Sequence, residues 1–462
     1  MTDTPQDGLP IRERLLALLA IALAMTLAVL DGAIVNVALP AMARDLAVRP
    51  DQAIFLVNGY QIAVTASLLP LAALGDGIGY RKIYLGGLSV FTLASAACAY
   101  APSLDLLIVA RIAQGLGAAG IMSVNIALVR FIYPARLIGR GVGNVALIVA
   151  VASAAGPTVA AAILSVATWH WLFLVNLPVG LAALLVGART LPHTPASGRR
   201  LDLPSSVLNA LTFGRVIIGV DGLGSAESRP LAFAELGGAL VIGTVFVRRQ
   251  LALPAPLLPV DLLRIPAFAL SMASSICAFS SQMTAFVALP FYLQDVLHLS
   301  ATQTGLLMTP WPIAVAAMAP FAGRLSDRYP PGLLGGIGLA TMAAGLTGVV
   351  LLPADPSTLD IVWRLSLTGL GFGLFQSPNN RLIITSAPPE RSGGASGMQS
   401  TARLTGQSLG AALVAVLFGL THADGAGGSP ARAVLFSLAA AIALALTGTV
   451  TSVLRKPRPA KS

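Results

Sequence analysis

The stretch AMTLAVLDGAIVNVALP, residues 24–40, sets a single carboxylate, Asp31, among Ala, Leu, Val and Ile. A charged side chain at the centre of an apolar helix costs roughly 2.5–3.5 kcal/mol on insertion scales, so it is kept where it has a use. An isolated buried carboxylate can bind a proton, provided a partner stabilises the ionised form and can be withdrawn. Arg111 is the candidate partner. At 1.5 Å per residue from a helix start near residue 14, Asp31 lies roughly 25 Å along its helix. A helix returning from residue 105 brings Arg111 to a similar depth. Separating the two would let Asp31 take up a proton. A plain helix–helix hydrogen bond is the competing role for Asp31.

The other titratable residues narrow the chemistry. Of 19 Asp and Glu, Asp31 alone sits well inside an apolar span of the two large bundles described below; Asp295 and Asp360 fall near span ends. Glu235 lies where Arg215 on a neighbouring helix neutralises it, a structural pair. Cys98 and Cys277 have no partner spacing and read as packing residues. His170, His193, His298 and His422 are scattered, which leaves no metal cluster and no Ser/His/Asp arrangement. No G-x-x-x-x-G-K-[ST] loop is present, so no nucleotide is expected. The chain is therefore not expected to be an enzyme or to need a cofactor; a proton gradient would be its energy source.

These residues need elements to hold them. The 462 residues are 56% hydrophobic and only 10% charged, with a mean hydropathy of +0.81. That is too little charge to cover a soluble surface, and an all-α polytopic membrane protein follows. Fourteen apolar spans are expected near 14–37, 53–74, 83–101, 105–129, 140–165, 168–188, 203–222, 231–247, 266–294, 302–322, 332–352, 359–383, 395–420 and 431–453. Arg12 and Arg14 precede the first span as in a signal peptide. No small-residue cleavage site follows, so a retained span is expected.

The net charge of +10 is explained by topology rather than by nucleic acid. With both termini cytoplasmic, 21 of the 29 basic residues fall on that side, including Arg199, Arg200, Lys456, Arg458 and Lys461. Only Arg44, Arg49, Arg229 and Arg432 lie outside, and Arg111, Arg215, Arg364 and Arg403 lie within spans. This is a positive-inside pattern, placing the chain in the inner, cytoplasmic membrane. The Arg:Lys ratio of 26 to 3 further suggests a GC-rich bacterial genome.

Two internal echoes point to repeated halves. AALGDGIGYRKIYLGG (72–87) is answered by GRLSDRYPPGLLGG (323–336), and RIAQGLGAAG (111–120) by RLSLTGLGFG (364–373), both at an offset of about 250 residues. The halves would be six-helix bundles, residues 1–190 and 263–462, around an insertion, 191–262, carrying two extra spans. Polar residues fall in helical stripes: Asn58, Gln61 and Thr65; Arg111, Gln114 and Asn125; Gln376, Asn379 and Asn380; Gln399 and Arg403. Such faces avoid lipid and line either a cavity or a helix interface. Any one residue serves equally as interhelical glue or as a substrate contact. Gly75, Asp76, Gly79, Arg81 and Lys82 in the first half, with Asp327 and Arg328 in the second, form matching helix-end loops suited to a latch.

These motifs resemble the major facilitator superfamily and, within it, the fourteen-span drug:proton antiporters. LDGAIVNVALP resembles the first-helix signature, LGDGIGYRK the loop motif, RIAQGLGAAG the fourth-span motif and AVASAAGPTVAAA, with Gly156 and Pro157, the fifth-span exporter motif. WHWLFLVNLPVG resembles the start of span 6, and PPERSGGASGMQSTARLTGQSLGAA the late loop and span 13. Ala72 and Gly77 stand where the loop motif usually has Gly and Arg, so its latch is expected either to be weaker or to use Arg81 and Lys82. Ala152, Ala160 and Ala161 replace fifth-span glycines, and Asn58 replaces an acid associated with dication export.

The resemblance implies the major facilitator fold and proton-coupled efflux of hydrophobic or cationic drugs by alternating access. Asp31 and Arg111 would couple the proton. Asn58, Gln61, Gln114, Asn125, Gln376, Asn379, Gln399 and Arg403 would be cavity candidates, and the helix-end loops with Gly156 and Pro157 would gate. A specific, anionic metabolite is the alternative cargo. The expected partners are a small-molecule substrate, protons and the lipid bilayer, with a monomer sufficing.

Overall fold

The computed structural model describes residues 8–196, 198, 202–224, 228–253, 256–353, 355–388, 391–423 and 430–455. Arg199, Arg200, Lys456, Arg458 and Lys461 of the basic inventory lie outside these, as does the side chain of His422. Among the described residues there is no strand, as expected where each backbone N–H must be satisfied within its own segment. The α-helices in chain order are α1 (Ile11–Asp45), α2 (Pro50–Ile78), α3 (Tyr80–Ala99), α4 (Leu104–Ile132), α5 (Ile138–Leu164), α6 (Trp171–Leu174), α7 (Asn176–Thr190) and α8 (Leu203–Gly222). They continue as α9 (Arg229–Ala252), α10 (Pro266–Phe291), α11 (Ala301–Met308), α12 (Pro310–Leu325), α13 (Pro331–Val350), α14 (Thr358–Ser386), α15 (Ser392–Ala423) and α16 (Pro430–Val453).

Local chemistry sets several boundaries. Ser103 and Ser357 cap α4 and α14, and Ser300 with Gln303 forms a reciprocal capping box at α11. Proline opens α2, α10, α12, α13 and α16, where its missing N–H costs nothing. Pro310, following Thr309, splits the expected span 302–322 into α11 and α12. The expected span 168–188 is likewise two helices, α6 and α7, and α1 runs to Asp45 rather than ending near residue 37. Asp31 therefore lies fourteen residues from the end of α1, deeper than the sequence estimate put it.

Thirteen helical segments among the described residues are long and apolar enough to cross a membrane. α14 is not among them, although it is 29 residues long; Asp360, Arg364, Gln376, Asn379, Asn380 and Arg381 make it polar. It nonetheless packs along α12 and α13. Large apolar side chains such as Leu93, Val109, Phe233 and Leu240 stand exposed on the outer surface, as a lipid-facing wall requires.

Helices α1–α7 pack together, and so do α10–α16. The groups meet where α2 touches α15, α5 touches α11 and α12, and α1 touches α10. Inserted α8 lies against α2 of one group and α15 of the other, with α9 packed on its outer side. Two ends of the molecule result. The described arginines and lysines expected on the cytoplasmic side, from Arg12 to Arg455, all fall at helix ends on one of them, the basic end.

The structure also corrects the internal repeat. Gly117 of α4 meets the α3 backbone so closely that a Cβ would come within 2.4 Å of Phe91 N; Gly371 of α14 meets α13 with 2.3 Å to Met342 N. Gly115 and Gly369 make a matching pair of approaches, to Tyr60 O and Trp311 O. The equivalence is thus QGLG with TGLG, which moves Arg364 one position off Arg111. Arg364 instead binds Asp360 and lies over the Trp363 ring, and the described residues of the second half hold no copy of the Arg111 site.

Candidate functional site

Asp31 is fully enclosed between α1, α4, α7 and α3. Its Oδ2 accepts from Arg111 Nη1, and its Oδ1 accepts from Gln114 Nε2 at 2.8 Å and Asn176 Nδ2 at 3.2 Å. Arg111 reaches Asp31 because α4 carries both the guanidinium and, one turn on, the amide that receives it: Arg111 Nη1 also donates to Gln114 Oε1 at 2.6 Å. Arg111 Nε donates to Leu56 O at 3.2 Å, and the guanidinium lies over the Tyr60 ring, 4.4 Å from its centroid. Ser95 Oγ accepts from Gln114 Nε2 at 2.8 Å, and Tyr60 OH donates to Ala28 O at 3.1 Å. Exposure is 0% for Asp31, Gln114, Asn176 and Ser95 and 1% for Arg111. Both charges are therefore out of contact with solvent and depend on each other.

Sequence reasoning paired Asp31 with Arg111 but missed Asn176 and Ser95. Asn176 belongs to the VNLP run in WHWLFLVNLPVG, and its amide in an otherwise apolar segment was the available signal. Cys98 Sγ borders the network, 3.7 Å from Gln114 Oε1.

The cavity candidates divide. Gln114 is spent inside the ion-pair network. Asn58 donates to Asp221 Oδ1 at 2.7 Å, and Asn379 donates to Ser275 Oγ at 2.7 Å while accepting from Arg455 Nη1 at 2.6 Å. Asn125 is buried with an unpartnered Oδ1. Gln114, Asn58 and Asn379 thus belong to helix interfaces. Gln61, Gln376, Gln399 and Arg403 have no hydrogen-bond partner among the described residues. The faces of α15 explain where Arg403 points. Ser408 meets Thr65 of α2, Gly406 and Gly410 press on α10, and Val416 with Gly419 meets Gly224 at the end of α8. At 100° per residue Arg403 falls about 20° from Gly410 and 60° from Gly406, on the face of α15 that packs against α10.

The structure gives partners for several of the latch residues. Asp76 accepts from Tyr80 OH at 2.6 Å, whereas Arg81 donates to Ala188 O and to the His193 ring, and Lys82 is exposed. Asp327 pairs with Arg381 of α14, not with the exposed Arg328. Gly75 lies against Val124 and Tyr80, and Gly79, at φ +102°, turns the chain between α2 and α3. Gly156 faces Ala33, where an added Cβ would come within 2.4 Å, and Pro157 O lies against Gly305. The α5 motif thus joins α1 to α11.

The polar contacts that join the groups among the described residues lie away from the basic end. Arg44 donates to Asp295 Oδ1 at 2.8 Å and to Gln294 Oε1 at 3.1 Å, Gln294 Nε2 donates to Val37 O at 3.0 Å, and the Thr158 and Thr309 hydroxyls are 2.7 Å apart. Thr65 and Ser408 meet at mid-depth, 3.2 Å apart.

Comparison with known proteins matches residues 21–411 to the Major Facilitator Superfamily. A protein of Escherichia coli strain K12, "Uncharacterized transporter YebQ", is 55% identical over 99% of both chains. "Multidrug resistance protein Stp" of Mycobacterium tuberculosis is 32% identical over 87% of this chain and 75% of its own length. "Riboflavin transporter RibZ" of Clostridioides difficile is 28% identical over 88% and 89%. Among solved structures, a bacterial homolog of the human lysosomal transporter Spinster, in an inward-facing and occupied conformation, superposes with a TM-score of 0.72, 16% identity and coverage of 96% and 97%.

Proposed function

This chain belongs to the Major Facilitator Superfamily and is a membrane transporter rather than an enzyme; from that premise we propose that it is a fourteen-span proton-coupled exporter of hydrophobic or cationic compounds. The observation that carries the proposal is the sealed Asp31–Arg111 pair. Such a pair is costly to break one-sidedly, so a proton arriving at Asp31 has to be matched by a rearrangement of Arg111. That is the property a coupling site needs: protonation state and helix arrangement change together.

The positive-inside pattern assigns the basic end to the cytoplasm. Arg44, Gln294, Thr158 and Thr309 then close the external side, and cargo is loaded from within. Opening outward breaks those contacts, and α1 and α4 move relative to each other because Asp31 and Arg111 sit on separate helices. Asp31 then takes a proton from outside, and the return step delivers it inward as Arg111 re-forms the pair. Relatives named for multidrug resistance support the cargo class.

Proton release from energised inside-out vesicles on addition of lipophilic cations tests this reading. Release in the wild type that disappears in Asp31→Asn, with the variant present in the membrane, is the expected result. Release that survives in Asp31→Asn overturns the role of Asp31, and no release with any cation overturns the cargo class.

A second reading rests on Arg403. A half-buried cation with no hydrogen-bond partner among the described residues favours an anionic or polar metabolite, and a relative is named as a riboflavin transporter. Under this reading an anionic cargo drives proton release, and Arg403→Gln abolishes it without affecting release by cations.

A further inference from the structure

Asp221 closes α8, one of the two inserted helices, and is 7% exposed. The only hydrogen bond of its carboxyl group among the described residues is to Asn58 of α2, whose Nδ2 donates to Asp221 Oδ1 at 2.7 Å. Two oxygens of this pair, Asp221 Oδ2 and Asn58 Oδ1, are buried without a partner. Both are acceptors, so as an ionised acid and an amide they leave two desolvated acceptors unsatisfied, each at a cost of about 1–3 kcal/mol. A single hydrogen could satisfy both: with Asn58 Nδ2 already donating to Asp221 Oδ1, a proton on Asp221 Oδ2 donated to Asn58 Oδ1 would close a cyclic acid–amide pair with no orphaned atom.

The surroundings favour the neutral form. Asp221 lines a cavity of about 300 Å³ at the end away from the basic residues, bounded by α2, α8, α9 and α15. From α2 and its cap the cavity receives Asp51 and Arg49, which bind each other at 2.7 Å. From α9 it receives Glu235, held by Arg215 of α8 at 3.1 Å. From α15 it receives Ala415 and Gly419, which do not titrate. Arg49 and Arg215 are thus bound to other carboxylates, Arg229 of α9 donates to Leu223 O at 3.2 Å, and no ion pair among the described residues involves Asp221.

We propose that Asp221 is a second proton-binding site, distinct from the Asp31–Arg111 pair, and that its proton clasps the inserted hairpin to α2 in this conformation. The proton is exchanged through the cavity between α2, α8 and α9. Loss of the proton sets Asp221 Oδ2 against Asn58 Oδ1 and weakens the α2–α8 contact. The hairpin becomes a proton-sensitive strap, because the same α8 lies against α15 of the other group. Only the direction of exchange, from outside, rests on the orientation given above; proton occupancy does not depend on transport.

Infrared spectroscopy of the reconstituted full-length protein reads the proton directly, through the C=O stretch of an un-ionised carboxylic acid and its shift in heavy water. A band is expected in the wild type at neutral pH, absent in Asp221→Asn and retained in Asp31→Asn. Asp221→Asn should fold, since an amide at 221 can make both hydrogen bonds. Asn58→Leu should shift the band toward a weaker hydrogen bond or, if the acid ionises, remove it at neutral pH and restore it on acidification. Absence of the band in the wild type, or its persistence in Asp221→Asn, overturns the proposal. Persistence together with loss in Glu235→Gln would assign the proton to Glu235. Because no substrate is added, failure of this test is separate from failure of the export reading.

Discussion

Replacing Arg111 by Gln removes the cation that faces Asp31 and leaves a carboxylate at 0% exposure with only the Gln114 and Asn176 amides as donors. Two unit charges about 4 Å apart attract by about 4 kcal/mol at an effective dielectric constant near 20. Removing one member of a buried pair costs about 3–5 kcal/mol. Asp31→Asn strands Arg111 in the same way, while keeping an acceptor for Gln114 and Asn176. The double variant, Asp31→Asn with Arg111→Gln, strands neither charge. Its loss should therefore be about 3 kcal/mol smaller than the sum of the single losses, which is about two orders of magnitude in the folded-to-unfolded ratio. Reversible unfolding in mixed detergent micelles, followed by tryptophan fluorescence, measures all four proteins. Additivity to within about 0.5 kcal/mol would mean the charges do not sense each other and would refute the reasoning. Recovery of stability in the double variant without recovery of proton release would separate the pair's structural contribution from its part in coupling.

Two further results are expected. Gly117→Val places a branched side chain where even a Cβ comes within 2.4 Å of the Phe91 backbone, and overpacking of this kind typically costs about 1–3 kcal/mol; a normal yield of monodisperse protein would contradict the close packing of α3 on α4. Asp202 caps α8 through Ser205 and pairs with Arg249 of α9. Partial burial opposes ionisation there, but the Ser205 and Arg249 hydrogen bonds outweigh it and hold the carboxyl below its ordinary range. The sign follows: this contribution is present above the unfolded carboxylate's range and is lost as pH falls through the lower folded value. Hydrogen exchange at the Ser205 and Ser206 amides should lose protection in that acidic window in the wild type and show no such step in Asp202→Asn.

Asp31 shows how far one-dimensional reasoning reaches. A lone acid in an apolar run is expensive whatever surrounds it, and helical rise alone matched its depth to Arg111. The all-helical membrane class, the approximate spans and the grouping of basic residues were legible for the same reason: they depend on transfer free energy and periodicity, which are local sums over sequence. Which polar side chain meets which was decided by tertiary structure. Asn58 and Gln61 lie on one stripe of α2, yet one is bound to Asp221 and the other has no hydrogen-bond partner among the described residues. Asp76 and Arg81 are five residues apart and bind different groups. Asp221 stands one residue from the end of the expected span 203–222, and only the packing of α8 against α2 makes the Asn58 amide the partner of its carboxyl group. Repeat register followed the same rule, since close backbone approaches aligned Gly117 with Gly371 where letter matching had aligned Arg111 with Arg364. A hydrogen bond or an ion pair depends on two atoms within about 3 Å, and the sequence constrains that distance only through the packing of every helix between them.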